Sequence, residues 1–150
     1  MSIGRENNKI IAWSAVIIWM AMIFFLSHQP ATSSGQLSAS ITNFLIQTIT
    51  AIFPFEIEST SFHFFIRKGA HFFAYFVLGV LVIHALKNKY IYLAIVICVM
   101  YAISDEVHQL FITGRSGEVR DVLIDSIGAT IGITVYYLMC KLLRRKWARS

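Results

Sequence analysis

Between Ile10 and Leu26 the chain reads IIAWSAVIIWMAMIFFL, seventeen residues without one charge. A helix of that length rises about 25 Å, close to the hydrocarbon thickness of a bilayer. Further apolar stretches follow at roughly 68–86, 90–110 and 121–142. Charged residues make up only 14% of the chain and mean hydropathy is +0.66, against about a quarter charged in a soluble domain. The pattern predicts an all-α fold: one domain over residues 1–150, a polytopic transmembrane bundle of about four crossings. The first run follows Arg5 and Lys9, as a signal peptide would, but its length and the lack of a small-residue cleavage site after it favour an uncleaved helix.

Between the first and second crossings, Ser27–Gln36 reads as a loop. Leu37–Phe55 then mixes apolar residues with Ser, Thr, Asn and Gln. Leu37, Ile41, Phe44, Leu45, Thr48 and Ile52 fall at helical spacing. This predicts an outer amphipathic helix at the interface, or a re-entrant segment, ended by Pro54. Lys87–Lys89 turns the chain after the second crossing, and Phe111–Arg120 forms a loop before the fourth.

Four crossings place both termini on one side. That side carries Arg5, Lys9, Lys87, Lys89, Lys141, Arg144, Arg145, Lys146 and Arg149; the other carries Arg67, Lys68, Arg115 and Arg120. The excess of positive charge predicts that both termini are cytoplasmic. Of the acidic residues only Glu6 falls inside; Glu56, Glu58, Asp105, Glu106, Glu118, Asp121 and Asp125 fall outside, with His28, His63, His71 and His108. His84 belongs near the inner end of the second crossing. The net charge of +5 flanks apolar runs and forms no stripe or finger for nucleic acid. Cys98 and Cys140 form no CxxC pair and read as ordinary membrane-domain residues. Trp and Tyr near the helix ends read as interfacial anchors.

The outer polar residues fall into three groups. Arg67, His71 and Tyr75 share a helix face at i, i+4, i+8, with Lys68 beside them. Asp105, His108 and Gln109 share another face, and Glu106 points about 100° away from it. Asp121 and Asp125 stand one turn apart on the last helix, with Arg115 and Arg67 as expected partners, since ionisable groups at membrane depth need pairing. Gly128 and Gly132 give a GxxxG spacing suited to close helix packing.

These pieces resemble the VanZ family. The resemblance rests on SHQ at Ser27–Gln29, K-x-x-H-x-x-x-Y-x-x-L-G over Lys68–Gly79, S-D-E-x-x-Q over Ser104–Gln109, Arg115, and D-V-L-x-D-x-x-G-x-x-x-G over Asp121–Gly132. The ordered set spans most of the chain. The family commonly carries Asn where this chain has Asp125, which adds a negative charge here. The resemblance implies a small multi-pass protein of the bacterial cell membrane, linked in some members to lowered susceptibility to teicoplanin, and it implies no settled reaction.

The candidate polar site is therefore Arg67, Lys68, His71, Tyr75, Asp105, Glu106, Gln109, Arg115, Asp121 and Asp125. One reading is a site for membrane lipids or a phosphate-bearing cell-wall precursor, with Arg67, Lys68 and Arg115 meeting anionic oxygens and His71, Asp105 and Glu106 offering acid–base chemistry. The structural alternative is a paired polar core that fixes helix packing. No cofactor is predicted. A divalent metal is a lesser reading, with ligands drawn from His71, His108, Asp105, Glu106, Asp121 and Asp125, although no HExxH motif is present. Ser27 and Ser104 lack the nucleophile elbow of a serine hydrolase. Three classes stay open: a membrane-embedded enzyme, a non-enzymatic lipid-binding or structural protein, and a small lipid transporter. A side opening that leads to His71 and Arg115 favours the lipid readings, a closed bundle favours structure, and a path across both faces favours transport.

Overall fold

The computed structural model describes residues 3–52 and 59–147, all helical apart from short connections. Five helices follow in order: α1 (Ile3–Ser27), α2 (Ala31–Ile52), α3 (Ser59–Ala85), α4 (Ile91–Gln109) and α5 (Val119–Trp147). Four contain stretches long and apolar enough to cross a membrane: Asn8–Ser27, Phe64–Ala85, Ile91–Gln109 and Val119–Arg145. Phe25, Phe65, Tyr92, Phe111 and Leu142 are among many large apolar side chains left exposed. In water such a surface would aggregate; in a bilayer it is the solvent-facing surface.

The centre of the bundle is α3 against α5, with α4 beside both and α1 against α3. Small residues set the closeness of the α3–α5 contact. A side chain at Gly128 would overlap the carbonyl of Phe72, and one at Gly132 the carbonyl of Phe76. Among membrane helices, where lipid is as apolar as the core, such backbone approach supplies the packing that apolar burial does not. Tyr75, Leu78, Val82, Ala94, Cys98, Ala102 and Ile133 fill the space around it. The Trp19 indole donates to the Ala74 carbonyl at 2.9 Å and the Tyr101 hydroxyl to the Met20 carbonyl at 2.6 Å, tying α1 to α3 and α4.

Two connections depart from the sequence expectation. Ser27–Gln36 is not a loop. Helix α1 runs through Ser27, only His28, Gln29 and Pro30 intervene, and α2 begins at Ala31. Proline with fixed φ at the entry of a helix suits that short turn, and the Ser/Thr/Gly content that suggests a loop is absorbed into the first turns of α2. Helix α3 also begins earlier than the expected second crossing, at Ser59, so Arg67 and Lys68 sit inside a helix and not at its start. The proposed stop at Pro54 lies outside the described residues.

The turn after α3 closes by Asn88 N–H to Ile83 O at 3.0 Å and Lys87 N–H to His84 O at 2.9 Å. This is a Schellman closure, with Lys87 at φ 56° in the left-handed region that glycine usually takes. It returns α4 to the same end of the bundle as α1's start. The opposite end gathers the C-termini of α1 and α4, the 110–118 loop and the start of α5.

Candidate functional site: a buried acidic cluster beside a side cavity

At that second end, Ser27, Asp105, Glu106, Gln109, Asp121 and Asp125 are all buried, with Asp125 fully so. Burial of a carboxylate costs several kcal/mol unless partners replace its water, so the partners define the site.

Asp105, Glu106 and Gln109 come from the last turn of α4. The Ser27 hydroxyl donates to Asp105 Oδ2 at 2.7 Å. The Gln109 amide lies 3.4 Å from Ser27 Oγ, Asp105 Oδ2 and Glu106 Oε1, central to all three. Glu106, which the helical spacing alone points away from Asp105, meets it at the Gln109 amide and also accepts the Glu118 backbone N–H on Oε2 at 2.9 Å. That bond fixes the approach of the loop to α5. His108 does not join the acids. It stacks with His28 and Phe24, and its Nε2 stands 3.2 Å from His28 Nδ1.

Arg115 follows a turn closed by its own N–H to Ile112 O at 3.1 Å. The turn needs Gly114 at φ 74°. The guanidinium then reaches the end of α1. Nε donates to Gln29 O at 2.9 Å, Nη2 to Leu26 O at 3.3 Å, and Nη1 to Gln109 Oε1 at 3.3 Å. The last carbonyls of a helix have no partner within it and carry the negative end of its dipole, so a cation belongs there. This corrects the expected pairing of Arg115 and Arg67 with the aspartates. Lys68 ion-pairs with Asp121, and with Glu118 Oε2 at 3.2 Å. His71 Nδ1 faces Asp125 Oδ1 at 3.7 Å, too long for a hydrogen bond. Lys68 and His71 win because both lie on α3 opposite the first turns of α5, while Arg115 is held at α1.

A cavity of about 420 Å³ opens between α1, α2 and α3. Met22, Phe25, Ile41 and Ile66 make an apolar wall, and Arg67, His71, Gln29 and Arg115 line its polar part. Tyr75 lies along the same wall, so Arg67, His71 and Tyr75 do face one space. Arg67 is exposed, and among the described residues no ion pair holds it. Burial, and then the like charge of Arg67, push the Arg115 guanidinium below its usual range. Two guanidiniums that repel one another beside a concave, largely apolar space are an arrangement to which an anion can bind.

A larger cavity, about 740 Å³, lies at the other end, lined by Lys9, His84, Lys87, Tyr136 and Arg144. It holds no carboxylate among its described lining residues. His84 Nδ1 meets the Tyr136 hydroxyl there at 2.5 Å. The smaller cavity likewise has no carboxylate among its described lining residues, but it reaches the buried acids through Ser27, bonded to Asp105, and His71, which faces Asp125. The side chain of His63, and Glu56 and Glu58, lie outside the described residues.

Sequence reasoning places Ser27 in the SHQ motif and finds no nucleophile elbow around it, but does not reveal it as the hydroxyl partner of Asp105. It also did not anticipate the backbone partners, Leu26 O, Gln29 O and Glu118 N. The SHQ tripeptide was the available signal.

Four membrane-length helices closed at one end by a buried acid–amide–serine network define a polytopic helical membrane protein with a polar site at a side cavity. The chain belongs to the VanZ/LLP1 family, whose model matches residues 12–141. No match was found among curated proteins or solved structures.

Proposed function

We propose that this protein binds a phosphate-bearing lipid or lipid-linked precursor of the cell envelope of a bacterium, and through it lowers susceptibility to teicoplanin. The observation that carries this reading is the side cavity: an apolar wall from α1, α2 and α3, with both Arg67 and Arg115 among its lining residues. An acyl or polyprenyl chain fits the wall, and a phosphate between two guanidiniums replaces their repulsion with charge-assisted hydrogen bonds. Arg115 commits one N–H from each of its nitrogens to α1 and Gln109; a guanidinium has five, so two N–H groups stay available to a ligand.

The structural reading has its own support. Ser27, Asp105, Gln109 and Arg115 form a continuous network that joins α1 to α4, and it would hold the bundle without any ligand. The two readings divide the residues: the network explains Asp105 and Gln109, while Arg67 and the cavity are left to ligand binding.

The test is the inhibitory concentration of teicoplanin in a sensitive Gram-positive host. Three strains are compared at matched membrane abundance: this protein, its Asp105→Asn/Arg115→Gln variant, and empty vector. Protection by the first strain alone is expected. Absence of protection by the correctly inserted protein would overturn the antibiotic part of the reading.

A further inference from the structure

We infer that His71, Glu106 and Asp125 form a binding site for one divalent transition-metal ion, of the Zn²⁺ or Mn²⁺ type. One donor atom from each residue lies within 4.8 Å of the other two. The residues come from three helices, α3, α4 and α5, so the triad is a product of the fold and not of a local run of acids.

The independent observation is Asp125. It is fully buried, and neither carboxylate oxygen has a hydrogen-bond partner. An orphaned buried carboxylate is among the costliest groups a fold can hold. Among the described residues its one ion-pair partner is His71, at 3.7 Å. Donors of a tetrahedral ion at about 2.0–2.2 Å sit roughly 3.3–3.6 Å apart, so this spacing suits two ligands of one ion better than a direct bond. The remaining separations, none above 4.8 Å, need to close by at most about 1 Å to reach that geometry. Close by, Tyr75 is fully buried with its hydroxyl unpartnered, and Asp105 Oδ1 is unpartnered too.

Charge points the same way. Among the described residues, no lysine or arginine forms an ion pair with Asp105, Glu106 or Asp125; Lys68 is taken by Asp121 and Glu118. Three adjacent buried carboxyl groups and one imidazole, with no cation paired to them, are a donor set whose charge a divalent ion would balance. Glu106 is already oriented by the Glu118 N–H and the Gln109 amide, the outer support that metal-binding carboxylates require. One imidazole with two carboxylates is a mixed set that suits Zn²⁺ or Mn²⁺ over Ca²⁺ or Cu⁺. His71 also lines the side cavity, so the ion would stand at the cavity's inner edge. The inference does not depend on what the cavity binds.

The experiment uses the full chain in detergent micelles, stripped by chelator and titrated with Mn²⁺ alone and then with Zn²⁺ as competitor. One ion per chain is expected, displaced by Zn²⁺, with pulsed electron paramagnetic resonance of the Mn²⁺ form showing nitrogen coupling from a single imidazole. Asp125→Asn is isosteric and removes the buried charge, so it folds at least as readily; it should weaken Mn²⁺ binding tenfold or more, as should Glu106→Gln. His71→Gln should abolish the nitrogen coupling. Binding without nitrogen coupling, no stoichiometric ion on the original protein, or equal affinity in folded Asp125→Asn would each overturn the assignment.

Discussion

Ser27 gives the clearest single-residue account of how the polar end is held. Among the described residues its hydroxyl is the closest donor to Asp105, at 2.7 Å and across 78 positions of sequence. Ser27→Ala removes that donor and leaves Asp105 Oδ2 with only the longer contact from Gln109. A buried acceptor stripped of a partner costs about 1–3 kcal/mol. The variant should therefore melt several degrees lower in detergent, and adding Asp105→Asn should recover most of the loss by removing the buried charge. Equal melting of Ser27→Ala and the original protein would show that this bond contributes little. Residue types at this end were legible in the sequence, because carboxylates in apolar surroundings stand out. Their partners were not. Helical spacing reports which residues share a face, but says nothing of which face another helix presents. Arg115 looked like a counter-ion for the aspartates; the turn at Gly114 instead aims it at the carbonyls of Leu26 and Gln29.

The helices themselves were readable to the extent that composition dictates them. Long uncharged runs must be helical in a bilayer, since every backbone group has to be satisfied within the segment. Helix ends were less legible: Thr32, Ser33, Ser34 and Gly35 favour loops in isolation, yet belong to α2. The α3–α5 contact permits a sharp prediction. Gly132→Leu cannot be accommodated against the Phe76 carbonyl without parting the two helices. Forced separation costs about 1–3 kcal/mol or more, and it would also draw Lys68 and His71 away from Asp121 and Asp125. The purified variant should show a lowered melting temperature together with weakened metal binding. An exposed position on the same helix, Leu138→Ala, should change neither.

For the whole molecule, the fold brings the N-terminal region, the 86–90 turn and the end of α5 to one end and the acidic site to the other. The basic excess lies at the first end, which predicts that the site faces away from the cytoplasm. Single cysteines at Ser116 and Lys89, both exposed, in a background lacking Cys98 and Cys140, test this. In intact cells a membrane-impermeant thiol reagent should label position 116 and not position 89; the reverse pattern would invert the topology and place the cavity against the inner leaflet.

The central claim, that the side cavity receives a lipid phosphate, is tested most directly by binding. The full chain in nanodiscs of neutral lipid is titrated with a polyprenyl phosphate and, in parallel, with the uncharged polyprenol. Arg67→Gln is the informative variant, because Arg67 is exposed and forms no ion pair among the described residues. Loss of one charge-assisted contact is worth about 1.5–3 kcal/mol, or roughly tenfold or more in affinity. The account predicts binding of the phosphate over the alcohol by the original protein and weakening of at least about tenfold in Arg67→Gln. Equal binding of phosphate and alcohol, or equal affinity of the variant for the phosphate, would contradict it.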